Sequence, residues 1–571
     1  MESGSREIVA PRQHRRETGA TRWLAATLGL LCAGAALHTA YLLFHCPLDL
    51  SGDEALYWEW SRHLDLSYYS KGPLVAYVIA LGRWALAAWS RHVLGNEALA
   101  VRLPAVLLSL LTGLGIFVLA VRVLRSGRLA FFAVALMFTV PILAAGSMLM
   151  TIDAPLACAW VWALVAARHA LRRGALWAWV VVGLLTAVGI LAKYTMVLIF
   201  PALVLAMLVE TRFRTRRTVF GLALAILIGL LGLAPIVVWN VQHGWVGLRH
   251  VAGQAGLAGG PRVDLAGIIK YIGGQLGVVG LVWLPAMAWA LVELWRRPEP
   301  GDDERHDSAS LRLLLCATAV PFVAFLVFSP ITKVQPNWPV LGLLPGLIVL
   351  VAWLGRCTRA VNSSGKRLVR RLVVAGVLLS FPAVVVGHHT EWLAPVFGWL
   401  ARGSPPLRLT RPAAPWELTP AARYDPTARL RGWSKLGQAV GEVLTNERAA
   451  GRDPFILADD YQVASLIAFY CPGQPATYSA QSALGGRLSQ YDIWPNPVRD
   501  RDLFADRPCI YVGPLTAAIT GEGGGHAALP GVRRVRTVEY AVGGCPMQIW
   551  SISVCDRFAG FERPAAGDTR Y

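Results

Sequence analysis

The sequence predicts a polytopic α-helical membrane protein of about eleven spans, followed by a soluble α/β domain outside the membrane. Three observations predict it: an apolar, charge-poor composition, a succession of apolar runs of membrane-crossing length, and a change of texture after about residue 391.

Of 571 residues, 55% are hydrophobic and 16% charged, and the mean hydropathy is +0.48. Soluble proteins are about a quarter charged, so a soluble enzyme and a disordered chain are both excluded. The 22 Trp and 55 Gly suit membrane interfaces and membrane helices. Lys+Arg 54 against Asp+Glu 35 leaves a net charge of +19. That excess would suit nucleic acid only if it clustered on a polar domain, and instead it lies between the apolar runs. No nucleic-acid partner is expected; membrane lipids are.

Apolar runs of roughly 17 to 25 residues occur at 23–45, 100–122, 128–148, 153–170, 175–193, 195–210, 218–239, 273–295, 311–329, 338–355 and 372–390. Arg12, Arg15, Arg16 and Arg22 precede the first. Basic clusters recur at Arg122/Arg125/Arg128, Arg172/Arg173, Arg212/Arg214/Arg216/Arg217, Arg296/Arg297 and Lys366/Arg367/Arg370/Arg371. All fall on one side if the spans alternate. The positive-inside rule then makes 1–22 a cytoplasmic tail and, with an odd number of spans, puts the C-terminus outside. A cleaved signal peptide is the competing reading of 1–45; the apolar run is too long for an ordinary h-region, which favours a retained helix.

The expected domains are therefore 1–22, a transmembrane domain over 23–390, and an outer domain over 391–571. Large outer loops fall at 46–98 and 240–272, the second Gly-rich and carrying His243, Arg249 and Lys270. Long ordered loops usually carry function. In the first loop, LYWEWSRHL and VAYVIALGRWALAAW space aromatics as helices lying in the interface would. After 391, Pro and Arg crowd 404–426, and short β-rich pieces appear at PFILA, CIYVG, RTVEY and MQIWSISV, with an amphipathic helix over about Tyr461–Tyr470 between the first of these and ATYSA. No repeat of solenoid length is present, and the one low-complexity tract is GEGGG at 521–525. Cys471, Cys509, Cys545 and Cys555 fall in this outer domain, where one or two disulfides are expected. They form no CxxC pair, so zinc spacing is absent.

Three features carry candidate chemistry. Asp53-Glu54 in LDLSGDEALYWEW places two carboxylates at the outer mouth of the first span, where ionisable groups are functional candidates. The plain structural reading is a helix N-terminus, with Ser51 or Asp53 capping a helix from Ala55 and Glu54 in its first turn. Both can hold together. Lys71 in YYSKGPL could bind phosphate as a point charge or snorkel to headgroups. Lys193 in LAKYT, Arg249, and Lys333 in SPITKVQPNWP fall on the same outer side, where the positive-inside rule predicts few cations. Such a cluster wants an anionic partner, and a lipid phosphate fits. Asp153 in SMLMTIDAPL lies in a short outer turn, where Thr151 or Asp153 could simply cap the next helix with Pro155 in its first turn. Topology allows that turn and the Asp53 loop to share an outer site.

The order DEALYWEWSRHLDLSYYSKGPL, SMLMTIDAPL, LAKYT, KVQPNWP resembles bacterial glycosyltransferases of the protein O-mannosyltransferase-like GT-C superfamily (family 39 type), related to the aminoarabinose transferases that modify lipid A. The resemblance covers about residues 20–355. It implies a GT-C fold, an acceptor-directed acid at Asp53 with Glu54 beside it, a donor-phosphate lysine at Lys71, and an acidic position at Asp153. Charge and sidedness add Lys193, Arg249 and Lys333 to the phosphate site. Tyr57, Tyr68, Tyr69, His243, Asn337 and Trp338 are the candidates for contacting substrate. No cofactor is required, although His243 with Glu54 is a candidate pair for a divalent metal such as some relatives hold.

The resemblance implies a single inverting displacement at the outer face of the bacterial inner membrane, from a polyprenyl-phosphate sugar to a hydroxyl on a glycan, lipid or protein. Asp53 would act as base and Lys71 would stabilise the leaving phosphate. Asp459-Asp460 is merely adjacent at a strand end rather than a DxD metal site, and GxxxxGK[ST], GxSxG and HExxH are absent. The alternative from another class is a transporter or flippase of an anionic lipid. Transporters place polar groups near the midplane and show related halves; here the ionisable residues gather at outer span ends, which favours the enzyme.

Overall fold

The computed structural model describes residues 10–254, 263–297, 307–359, 363–402, 417–522 and 526–562. The first nine residues of the tail, the Gly-rich stretch 255–262, most of the Pro- and Arg-rich stretch and glycines 523–525 lie outside them. The chain divides into two compact units. One comprises Met1–Leu42, Arg102–Val238 and Gln254–Val385; the other comprises Leu43–Val101, Trp239–Gly253 and Val386–Tyr571.

The first unit is helical. Among the described residues of the whole chain, seven helices are long and apolar enough to cross a membrane: Thr21–Phe44, Ala98–Leu124, Asp153–Arg173, Arg216–Gln242, Ser308–Phe328, Val340–Arg359 and Gly365–His388. The expected run 273–295 is instead a pair, Ala266–Val279 and Trp283–Arg296, bent by 106° and counting as an eighth span only if taken together. Gly280 sits at the break with φ 113°, a conformation that side chains oppose. Three further runs are helical but short, at Gly127–Met137, Leu176–Ala192 and Tyr194–Val209. At 1.5 Å per residue a 17-residue helix reaches about 26 Å, under the roughly 30 Å hydrocarbon core. The difference from eleven is therefore one of length and straightness.

Burial separates the helices by role. Val340–Arg359 is covered nearly all round, whereas Gly365–His388 leaves Val374, Leu378, Leu379 and Phe381 exposed. Apolar surface of that extent is what lipid covers. Pro104, Pro321, Pro345 and Pro382 lie inside helices, a placement that neighbouring helices tolerate in membrane proteins.

The second unit joins a six-stranded sheet to short helices. The strands are β1 (Glu417–Leu418), β2 (Phe455–Ala458), β3 (Thr477–Ser479), β4 (Cys509–Val512), β5 (Arg533–Val542) and β6 (Cys545–Cys555). They run β1-β6-β4-β2-β3, with β5 paired to β6. β2 is parallel to both β3 and β4, and β6 is antiparallel to its neighbours. The four β-rich pieces all become strands, ATYSA supplies β3, and the helix falls at Tyr461–Tyr470 as expected. That helix is the crossover between parallel β2 and β3, so the turn Asp459-Asp460 lies at the carboxyl end of β2. Phe455, Leu457, Phe504, Tyr511 and Phe558 form the core on this sheet.

The disulfide expectation is corrected: all nine cysteines are free. Cys509 and Cys555 face each other in the β4–β6 register, but both are buried as small apolar side chains. The Cys555 thiol donates to the carbonyls of Pro530 and Arg557, at 3.2 and 3.0 Å, and Cys545 donates to that of Ala394.

Candidate functional site

In the second unit, Ser51 starts the helix Gly52–Arg62 with a reciprocal capping box. The Glu54 N–H donates to Ser51 Oγ at 3.1 Å and the Ser51 N–H to Glu54 Oε2 at 2.9 Å. This satisfies two donors that a helix start otherwise leaves open. Of the two capping candidates, Ser51 is the cap and the helix begins earlier than Ala55. Glu54 is fully buried in this role, while Asp53 is exposed. Asp53 Oδ1 accepts a hydrogen bond from Gln462 Nε2 at 3.0 Å. Gly52 permits the approach, since a Cβ there would meet Gln462 Cβ at 2.6 Å. Asp460 caps the Gln462 helix, accepting its backbone N–H at 2.7 Å. Burial, with a small addition from Asp53, pushes the Asp460 carboxyl up to about 6.

The Lys71 turn is built on aromatics. Tyr68 stacks on Trp60 at 4.3 Å, and its hydroxyl donates to the carbonyls of Trp60 and His63. The Tyr68 N–H and the Ser67 hydroxyl both donate to the Lys71 carbonyl. Tyr57 packs on Trp60 at 5.0 Å. Tyr57 and Tyr68 are thus buried parts of the scaffold. Tyr69 packs its ring against His250 at 4.7 Å and donates its N–H to Gln490 Oε1 at 2.7 Å. His243 stacks on Trp239 at 4.2 Å, with Nδ1 2.8 Å from the Trp239 carbonyl. Arg249 is exposed on the helix Val246–Gln254, whose His250 is buried.

Local sequence reasoning missed His250, Tyr461, Gln462 and Arg487. Arg487 lies over the Tyr461 ring at 4.9 Å, donates to the Tyr461 hydroxyl, and sits with Nη1 3.5 Å from His250 Nε2. Burial, then the charges of Arg487 and Lys71, push His250 down to about 4. Asp-Asp-Tyr after a β-rich run did mark a helix start; nothing local marks the lone Arg487.

In the first unit, Asp153 opens the helix Asp153–Arg173 without capping it: Ile152 holds the cap position with no side-chain bond. The Asp153 N–H donates to Thr151 Oγ1 at 3.3 Å, and the carboxylate turns elsewhere. Lys193 Nζ lies 2.8 Å from Asp153 Oδ1, and Asn337 Nδ2 donates to Oδ2. Lys193 is extended, at φ −157° and ψ 132°, in the break after Leu176–Ala192, which leaves its side chain free of helical register. A cavity of about 270 Å³ adjoins this group, lined by Ser109, Thr112, Leu143, Asp153, Asn337 and Leu344 among others. Trp338 packs on Phe325, and Lys333 is exposed.

Among the described residues, no group of three or more His, Cys, Asp or Glu is arranged to hold a metal ion. Glu54 serves the capping box and His243 the Trp239 stack, so this pair does not fit a metal.

The model of the dolichyl-phosphate-mannose-protein mannosyltransferase family matches residues 70–239, a stretch containing Lys71, Asp153 and Lys193. The chain is 27% identical over 331 residues to the lipid A galacturonosyltransferase RgtD of Rhizobium johnstonii, covering 57% of this chain and 64% of that protein. The crystal structure of ArnT from Cupriavidus metallidurans, bound to undecaprenyl phosphate, superposes with a TM-score of 0.52 and 16% identity, covering 93% of this chain and 98% of that one. The last likeness shows the fold, and the three together bear out the resemblance to bacterial GT-C glycosyltransferases drawn from the motifs.

Proposed function

On the premise of that relationship, we propose that this protein is an inverting glycosyltransferase, moving a sugar from a polyprenyl-phosphate donor to an acceptor hydroxyl at the periplasmic face of a bacterial inner membrane. The observation that carries the reading is Asp53. It is an exposed carboxylate held by one amide, with no ion pair among the described residues, in the same unit as the Lys71 turn. ArnT was solved with undecaprenyl phosphate and RgtD is named for lipid A; by analogy the donor here is a lipid phosphate and the acceptor a glycolipid.

The acceptor oxygen attacks the anomeric carbon as the bond from that carbon to the phosphate oxygen breaks. Gln462 holds Asp53 Oδ1, leaving Oδ2 to take the acceptor proton as the nucleophile forms. The departing lipid phosphate is already a stable anion, so a second carboxylate acting as general acid is dispensable. Lys71 stabilises the charge that grows on it. One displacement inverts the anomeric configuration. Glu54 positions the helix start that carries Asp53, and Asp153 with Lys193 fixes its own turn.

The test is transfer by purified protein in detergent from a polyprenyl-phosphate sugar. Asp53→Asn is expected to slow transfer by about 100-fold or more with donor affinity retained, while Lys71→Ala weakens donor binding. Undiminished transfer by Asp53→Asn removes the base. Reporter fusions at residues 60 and 480 should both read periplasmic, and mass spectrometry of lipid A from a deletion strain should show one sugar missing.

A further inference from the structure

The second unit contains a group that the proposed chemistry has not yet used. Arg487 is half-buried in a loop of the sheet domain, and among the described residues no carboxylate lies within ion-pair distance of it. Its partners are a phenol and an imidazole. A guanidinium can only donate, so His250 Nε2 must be the acceptor in the 3.5 Å contact. The neutral ring then carries its proton on Nδ1. That nitrogen is buried without a hydrogen-bond partner, in a side chain only 2% exposed. A buried N–H with no acceptor is destabilising. Lys71 is close enough for its charge to act on the same ring, and the Tyr69 ring at 4.7 Å holds the imidazole in place. Arg487 and His250 therefore offer a guanidinium and an imidazole N–H, both donors, within reach of the Lys71 charge. Asp53 and Asp460 act on Arg487 only through space.

We infer that Arg487, His250 and Lys71 form one anion site, and that its ligand is the phosphate of the polyprenyl-phosphate donor. This rests on the functional reading above and adds to it two residues from outside the recognised motifs. A phosphate oxygen would accept the orphaned Nδ1–H, and the planar guanidinium suits phosphate geometry in a way an ammonium alone does not. The sheet domain would then contribute directly to donor recognition through the loop carrying Arg487.

The experiment measures binding to the full-length protein in detergent, with undecaprenyl phosphate, uncharged undecaprenol and lipid A as probes. Wild type should prefer undecaprenyl phosphate over undecaprenol by about tenfold or more. Arg487→Gln and His250→Phe should each weaken undecaprenyl phosphate by about tenfold and leave undecaprenol unchanged, and Arg487→Lys should keep part of the preference. If Lys71→Ala loses affinity while Arg487→Gln binds as wild type does, the inference is wrong and the functional reading stands. A loss in Arg487→Gln confined to lipid A also overturns it, assigning the arginine to the acceptor. A wild type that cannot tell the phosphate from the alcohol defeats both. Should Arg487→Gln fail to fold, His250→Phe decides alone: unchanged binding removes the three-donor site.

Discussion

In the first unit Lys193 and Asp153 meet at 2.8 Å and Asn337 takes the remaining carboxylate oxygen, whereas in the second Asp53 accepts from an amide and Arg487 feels its carboxylates only through space. The first arrangement pairs its opposite charges with each other. The second keeps a carboxylate and a guanidinium without ion-pair partners among the described residues. The contrast separates a carboxylate closed in an ion pair, Asp153, from one held by an amide, Asp53, although the motifs offer both as acidic positions.

The contrast is broken most directly at the compensated pair. Asp153→Asn leaves the buried Lys193 ammonium without a counter-charge, and should cost about 3 kcal/mol or more, read as a lower melting temperature in detergent. Removing both charges, with Lys193→Met added, should recover most of the loss. A single mutant that melts like wild type would show that the pair does not hold the turn.

His250 gives the next effect, through pH. Its folded value of about 4 lies below the ordinary histidine value of 6.5, so between these values the unfolded chain binds a proton that the folded chain refuses. Its stability contribution is complete above about pH 6.5 and is lost as pH falls toward 4, by at most about 3 kcal/mol. Arg487 and Lys71 are the charges that face it. His250→Phe should flatten that acid limb in a melting series.

Asp460 has the opposite sign. Its folded value of about 6 stands above the ordinary aspartate value of 3.8, so the folded state holds a proton longer and stability falls as pH rises through that window. Asp53 and Arg487 are the charges acting on it, after burial. Asp460→Asn keeps a cap oxygen for the Gln462 N–H and should raise stability above pH 6 by about 1 kcal/mol. A lower melting temperature at pH 7 would show that the carboxylate charge itself is needed there.

The smallest effect tests whether Asp53 is held or merely near. Gln462→Ala removes one hydrogen bond to it and should slow transfer about fivefold, the equivalent of about 1 kcal/mol, with donor binding unchanged. Transfer at the wild-type rate would leave Gln462 a packing residue.

Much of this architecture was legible. The apolar runs coincide with helices, and the helix Tyr461–Tyr470 falls where its periodicity predicts. The helix Trp433–Ala449 was missed, although Trp433, Leu436, Val440 and Leu444 recur at helical spacing just beyond the Pro- and Arg-rich stretch. Strand β1, two residues long, carries no pattern to read. The bend near Gly280 was hidden because an average over apolar residues does not register a backbone break.

Composition and periodicity by themselves determined the class of this protein, because lipid and sheet each impose a repeat on the chain that no distant contact can erase. Motif order determined the relationship to GT-C enzymes. Which charges are satisfied was decided only by tertiary structure. The partner of Asp53 lies at position 462 and that of Tyr69 at position 490, and the arginine beside His250 lies at 487. Electrostatic compensation depends on distance in space, and separations of several hundred residues leave no trace of it in the local sequence.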